Sequence, residues 1–278
     1  MTCLLRHCLL WAAAIASTAA SHAAEPYRDP TRPVDDRVRD LLGRMTLEEK
    51  IDQLTQKGAD KIEMQDGTAD EASLQKLFGD RSIGVLCVKC GDDLFESARR
   101  LSAGQQYLRE KTRLGIPALT VNEGLHGVLA RGATIYPQFI ALGCTWNPQL
   151  AERMGAQISR EATAAGVNHL LTPMVEVIRD PRWGRVEECI GESPFLVARM
   201  CSAYTLGIQG DLRTNRLAPD KALAMLKTFA GYRAPVNGIN IGPCILGERE
   251  LRTYYLPPVE AVIRETGVLS VMPSYNEV

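Results

Sequence analysis

From residue 83 onward, short and almost unbroken apolar runs alternate with longer amphipathic stretches, and this rhythm restricts the fold more than any other feature. The runs are IGVLCV (83–88), IPALTV (116–121), VNHLLTPM (167–174), ALAMLKTF (222–229) and VLSVMPSY (268–275), with helix-like segments at about 94–113, 149–165, 194–209 and 248–266 between them. A strand with one wet face alternates apolar and polar residues, whereas a strand that is apolar throughout needs cover on both faces, as in a parallel sheet flanked by helices. Repeated strand–helix units of this kind build either an α/β barrel or a doubly wound sheet. No G-x-G-x-x-G follows the early strands and no Walker loop occurs, which argues against a nucleotide-binding sheet.

The segment upstream of these units is different. Arg6 precedes an apolar run from Cys8 to Ala20 and a small-residue step at Ser21-His22-Ala23, the layout of a secretory signal peptide over residues 1–23. The run is too short to span a bilayer. Export to the periplasm or the medium is expected, with no membrane attachment after cleavage. The domain proper is expected over residues 24–278, about 255 residues, enough for one large core. A polar, Pro-rich tether leads into a helix at about 34–45. Thr46 and Glu49 form a capping box into a second helix, TLEEKIDQLTQ, and residues 58–73 read as a surface loop.

Loss of the leader leaves 31 basic against 33 acidic residues, with no basic stripe, so nucleic acid is not an expected partner. Six cysteines remain, and the Cys87-Val88-Lys89-Cys90 spacing ends a strand rather than opening a helix, which reads as structural rather than redox. Only His126 and His169 remain, so neither a zinc site nor any other metal or cofactor is expected.

In a barrel the working residues lie just past the C-terminal ends of the strands. After IPALTV comes Asn122-Glu123-Gly124-Leu125-His126-Gly127, and after VNHLLTPM a long polar excursion containing Trp183 and Arg185. Lys227 lies near the end of ALAMLKTF, while Met272, Ser274, Tyr275 and Asn276 close VLSVMPSY. These types suit a polyol: carboxylates accept pairs of hydroxyl hydrogen bonds, and Arg and Lys donate charge-assisted ones. Trp183 and Tyr275 offer apolar faces to C–H surfaces. Each has a second reading. Glu123 and Arg185 can form an ion pair between loops, Trp183 can anchor its loop under a stacked guanidinium, Lys227 can be solvated, and His126 can be a loop histidine.

Five stretches in register, IPALTVNEGLHG, RDPRWGRVEE with GESP, KTFAGY, GERELRTYYLPPVEAVIRE and VLSVMPSYNEV, resemble glycoside hydrolase family 3 from near Asp29 to the last residue. The resemblance implies a (β/α)8 TIM-barrel-like domain, here incomplete at the C-terminus with roughly six units. It also implies an exo-acting, retaining β-glycosidase acting on β-linked oligosaccharides or glycosides. It assigns sugar binding to Glu123, Arg185, Lys227, Met272 and Tyr275; beside these, His126, Trp183, Thr228 and Glu188 are candidates for a supporting role.

Three departures accompany it. The family's Lys-His pair is Lys227-Thr228, which removes a cation. GEDP is Gly191-Glu192-Ser193-Pro194, which is expected to loosen the arginine loop. Pro273 stands where a small residue is usual and predicts a bulge or strand end, because proline cannot donate to a sheet ladder. The nucleophile and the acid/base of the family lie beyond Val278, and among Glu187, Glu188 and Glu192 there is no convincing substitute pair, so no catalytic residue is expected within this chain. A non-catalytic sugar-binding protein or the product of a degraded gene is the alternative; an aldolase-type barrel with Lys227 as a Schiff-base lysine is a third reading. Glu123, one methylene longer than aspartate, leaves less room for a hydroxymethyl group and leans toward xylose over glucose.

Overall fold

The computed structural model describes residues 25–277, so the leader assigned to residues 1–23 lies outside the described residues. The chain forms two compact units, one ending at Ile51 and one starting at Asp52. In the first, a 3-10 turn at Pro26–Arg28 precedes helix α1 (Val34–Arg44). The Thr46 amide donates to Glu49 Oε2 at 2.9 Å and the Glu49 amide to Thr46 Oγ1 at 3.2 Å. This reciprocal capping box, as expected from the sequence, opens α2 (Leu47–Asp52).

Helix α2 stops short of the expected end at Gln56, because the next residues are drawn into a sheet. Strand β1 (Gln56–Gly58) pairs in parallel with β2 (Val85–Cys87), and this tertiary pairing overrides the helical pattern of the polar segment. The expected surface loop at 58–73 also has structure. It holds a two-residue hairpin, Met64–Gln65 with Thr68–Ala69, and the start of α3 (Glu71–Phe78), capped by Asp70, which accepts from the Ser73 amide at 2.7 Å.

The remaining strands fall where the apolar runs lie. They are β3 (Leu119–Glu123), β4 (His169–Leu171), β5 (Leu223–Phe229) and β6 (Ser270–Pro273). With β1 and β2 they form one parallel sheet in sequential order. The crossovers carry α4 (Leu94–Lys111), α5 (Phe139–Cys144), α6 (Pro148–Ala164), α7 (Pro194–Gln209) and α8 (Leu256–Thr266). Among the described residues no pairing joins β1 to β6, so the sheet has two free edges. The architecture is α/β, with every strand's C-terminal end at one rim.

Local chemistry sets the helix starts. Asn147 Oδ1 accepts from the Leu150 amide at 3.0 Å with Pro148 in the first turn, and Ser193 Oγ accepts from Leu196 at 3.4 Å with Pro194 in the same place. Ser193 is thus engaged as a helix cap rather than as a support for the arginine loop. Helices α6 and α7 approach through bare backbone. A Cβ at Gly207 would lie 2.1 Å from the Glu152 carbonyl, and one at Gly155 would lie 2.5 Å from the Tyr204 carbonyl. The core runs continuously from Leu86 through Leu170 and Leu226 to Phe139, Ile158 and Tyr204, with the last ring edge-on to Phe139 at 4.9 Å. No helix among the described residues is long and apolar enough to cross a membrane.

The proline expectation is met. Strand β6 ends at Pro273, and its register on β5 slips by one, Met272 facing Lys227 and Pro273 facing Phe229, with Thr228 the extra residue.

Candidate functional site at the strand rim

Glu123 closes β3 and Lys227 lies on β5, with β4 between them. Side chains from alternate strands of a parallel barrel meet in one layer, which brings two residues 104 positions apart into contact. Lys227 Nζ donates to both Glu123 oxygens, at 2.9 and 2.8 Å. The lysine side chain is 4% exposed and the glutamate 27%, so the carboxylate faces the rim while the ammonium lies beneath it. Lys227 is therefore neither solvated nor free to act as an amine nucleophile, and the aldolase reading loses its residue.

Beyond β3 the chain turns through His126. Gly127 has φ +136°, and a Cβ there would lie 2.3 Å from the Thr134 carbonyl, so only glycine allows the two passes of the loop to touch. The His126 carbonyl accepts from the Tyr136 amide at 2.7 Å, which carries the second pass to Gln138 beside His126. His126 Nδ1 and Gln138 Oε1 are both buried without a hydrogen-bond partner. Gln138 is the N-cap residue of α5, yet its side chain makes no cap bond and lines the cleft instead. A glutamine before an apolar helix gave no signal in the sequence that could have singled it out.

Arg185 enters from the excursion after β4. Its Nε and Nη2 bind the two oxygens of Glu188 at 2.5 and 2.7 Å, a fork-on-carboxylate pair. Burial opposes the guanidinium charge, but the Glu188 carboxylate outweighs it and holds the group above its ordinary pKa. Arg185 Nη1 reaches the Tyr232 hydroxyl at 3.4 Å. The expected alternative of a Glu123–Arg185 ion pair is replaced by two separate pairs, Glu123–Lys227 and Arg185–Glu188. Together with His126, Gln138 and Glu187 they line a cleft of about 230 Å³.

Trp183 offers no face to this cleft. It is 2% exposed, the Arg233 guanidinium lies 3.9 Å from its ring centroid, and Tyr232 meets it edge-on at 5.2 Å. The sugar-platform reading of Trp183 is therefore corrected to that of a packed loop anchor. Thr228 is fully buried, with Oγ1 3.4 Å from Arg233 Nη2. Met272 pairs in register with Lys227, and Tyr275, half exposed, stands edge-on to Tyr232 at 5.5 Å. Behind them lies a pair not anticipated from the sequence, Glu176 and Arg233, both wholly buried, with Arg233 Nε 3.5 Å from Glu176 Oε2. The one available signal was a lone carboxylate inside the apolar run Val175-Glu176-Val177-Ile178.

The thiols take no part in this chemistry. Burial raises Cys87 and Cys90 above the ordinary thiol pKa, and all six described cysteines are unbridged. The cleft thus offers carboxylates, cations, an imidazole and an amide in one lining, a set suited to adjacent hydroxyls that both donate and accept.

Residues 46–278 match the model of the glycosyl hydrolase family 3 N-terminal domain, and the chain belongs to that family. It is 34% identical over 267 residues to a β-xylosidase of Formosa agariphila, covering 94% of this chain and 30% of that protein. The structure of the β-glucosidase EmGH1 of Erythrobacter marinus superposes with a TM-score of 0.81 at 32% identity, covering 92% of this chain and 33% of that one. The β-glucosidase of Listeria innocua in complex with glucose gives 0.72 at 31% identity, covering 87% and 33%. The chain spans about a third of the length of these relatives.

Proposed function

We propose that this chain supplies the sugar-gripping wall of an exo-acting, retaining β-glycosidase for terminal β-glucosyl or β-xylosyl residues. The single observation that carries the reading is the pairing of Glu123 with Lys227 beside Arg185–Glu188 in one cleft at the strand rim. Glu123 accepts ring hydroxyls, Arg185 and Lys227 donate to them, and Met272 and Tyr275 flank the position where chemistry occurs. Retaining hydrolysis needs two carboxyls about 5–5.5 Å apart, one as nucleophile and one as acid/base. In this cleft Glu123 and Glu188 are each committed to a cation, which leaves Glu187 as the one uncommitted carboxyl of the lining. With one such carboxyl where two are required, the reading places the nucleophile and acid/base outside this cleft. The leader over residues 1–23 assigns the protein to the periplasm or the medium.

The purified chain is expected to release no p-nitrophenol from aryl β-glucosides or β-xylosides, and measurable release would overturn the assignment of the catalytic carboxyls. A non-catalytic sugar-binding protein is the second reading, supported by cleft groups that are preformed without a reacting pair. Calorimetry with glucose and xylose tests it: millimolar or tighter binding supports this reading, and binding lost in E123Q locates it. The Glu123 methylene favours xylose, by at most about 1–3 kcal/mol.

A further inference from the structure

We infer that Arg233 and Glu176 are positioning residues for Arg185, acting through the Trp183–Tyr232 ring pair. Neither can meet a ligand, since both are fully buried. Nor is the pair well made as a stabilising device. Arg233 Nε and Nη1 and Glu176 Oε2 have no hydrogen-bond partner, and the ion pair stands at 3.5 Å. Buried charges this poorly satisfied are usually matched or bettered in stability by apolar residues of similar volume. What an apolar residue would not do is stack a planar cation 3.9 Å above the Trp183 ring while lying 5.2 Å from that of Tyr232.

That stack has a consequence at the rim. The Trp183 indole N–H and the Tyr232 hydroxyl both donate to Asn240 Oδ1, at 3.2 and 2.7 Å. With its proton committed there, the Tyr232 oxygen is left to accept from Arg185 Nη1 at 3.4 Å. Arg185 also lies over both rings, 5.8 Å from Trp183 and 5.6 Å from Tyr232. Two cations therefore share one aromatic pair, and each has its own carboxylate, Glu188 for Arg185 and Glu176 for Arg233. Glu176 also accepts from the Tyr232 amide at 3.3 Å, so it sets the backbone that carries both Tyr232 and Arg233. Arg233 thus holds the ring pair against which Arg185 is aimed. The significance of this for a ligand rests on the reading that Arg185 grips sugar; the clamp itself does not.

The test is site-resolved arginine modification of the full chain by phenylglyoxal, read by peptide mass spectrometry as the rate at Arg185 relative to exposed Arg216. R233M and E176Q are expected to raise that ratio roughly three- to tenfold, the loss of about one hydrogen bond's restraint, with R233K intermediate. A ratio unchanged in both folded variants, or a rise at Arg216 equal to that at Arg185, would overturn the proposal. If R233M fails to fold, the isosteric E176Q decides alone. Protection of Arg185 by xylose or glucose is a separate arm: its failure removes the sugar reading and leaves the clamp standing.

Discussion

At the residue scale, the cleft depends on charges whose partners are scarce. Lys227 is buried under a single carboxylate, so E123Q leaves a buried ammonium without its counter-charge. It should lower stability by about 3 kcal/mol, the usual cost of breaking a buried pair from one side, measurable as a drop in urea midpoint. K227M is milder, because the carboxylate it leaves unpaired is partly exposed. Glu176 carries the pH dependence. Burial raises its pKa to about 7 from the ordinary carboxylate value, against the opposing pull of Arg233 and the amides of Tyr232, Gly231 and Arg233. The other titratable groups that feel it are Cys189, Cys244 and Tyr255, all raised by burial. Between about pH 4.5 and 7 the folded protein thus holds a proton that the unfolded chain releases. The stability from this group is full below that window and is lost as pH rises through it, on the order of 2–3 kcal/mol. Urea midpoints should fall from pH 5 to pH 8 in the wild type, and E176Q should flatten that segment; an equal slope in E176Q would assign the effect elsewhere.

At the element scale, helix ends were legible and strand boundaries less so. Asn147-Pro148 and the Thr46–Glu49 box act within one turn of chain, so local sequence carries them fully. S193A should cost about 1 kcal/mol through the lost cap of α7, read by thermal denaturation. The contact of α6 with α7 is less forgiving. G207A places a methyl against the Glu152 carbonyl and should cost about 1–3 kcal/mol, with the helices forced apart. Strand β1 was missed because Gln56-Lys57-Gly58 has no apolar run; the neighbouring strand β2 supplies its ladder. The Pro273 register slip was legible because a missing N–H is a property of the residue itself.

For the whole molecule, the open sheet is the dominant physical fact. Strands β1 and β6 each present an unpaired edge among the described residues, and Phe229, Leu269 and Val271 lie exposed near the second. Such edges template pairing with other chains. The purified chain should therefore associate at micromolar concentration, visible by light scattering after gel filtration. Substituting V271K on the exposed edge should reduce that association without altering the far-UV spectrum. A monodisperse monomer at high concentration would argue that the edges are covered.

The sequence by itself determined the α/β class, the positions of five of the six strands, and the rim to which Glu123, Arg185, Lys227, Met272 and Tyr275 belong. Periodicity, capping residues and proline act over a few neighbours, so they can be read along the chain. Only the tertiary structure decided the pairings: Lys227 with Glu123, Arg185 with Glu188, Arg233 with Glu176, and Trp183 buried beneath a guanidinium rather than facing a ligand. A charge is satisfied by whichever opposite charge the fold brings within about 4 Å. That choice is made by strand order and loop paths across as many as 104 positions, and no local pattern contains it.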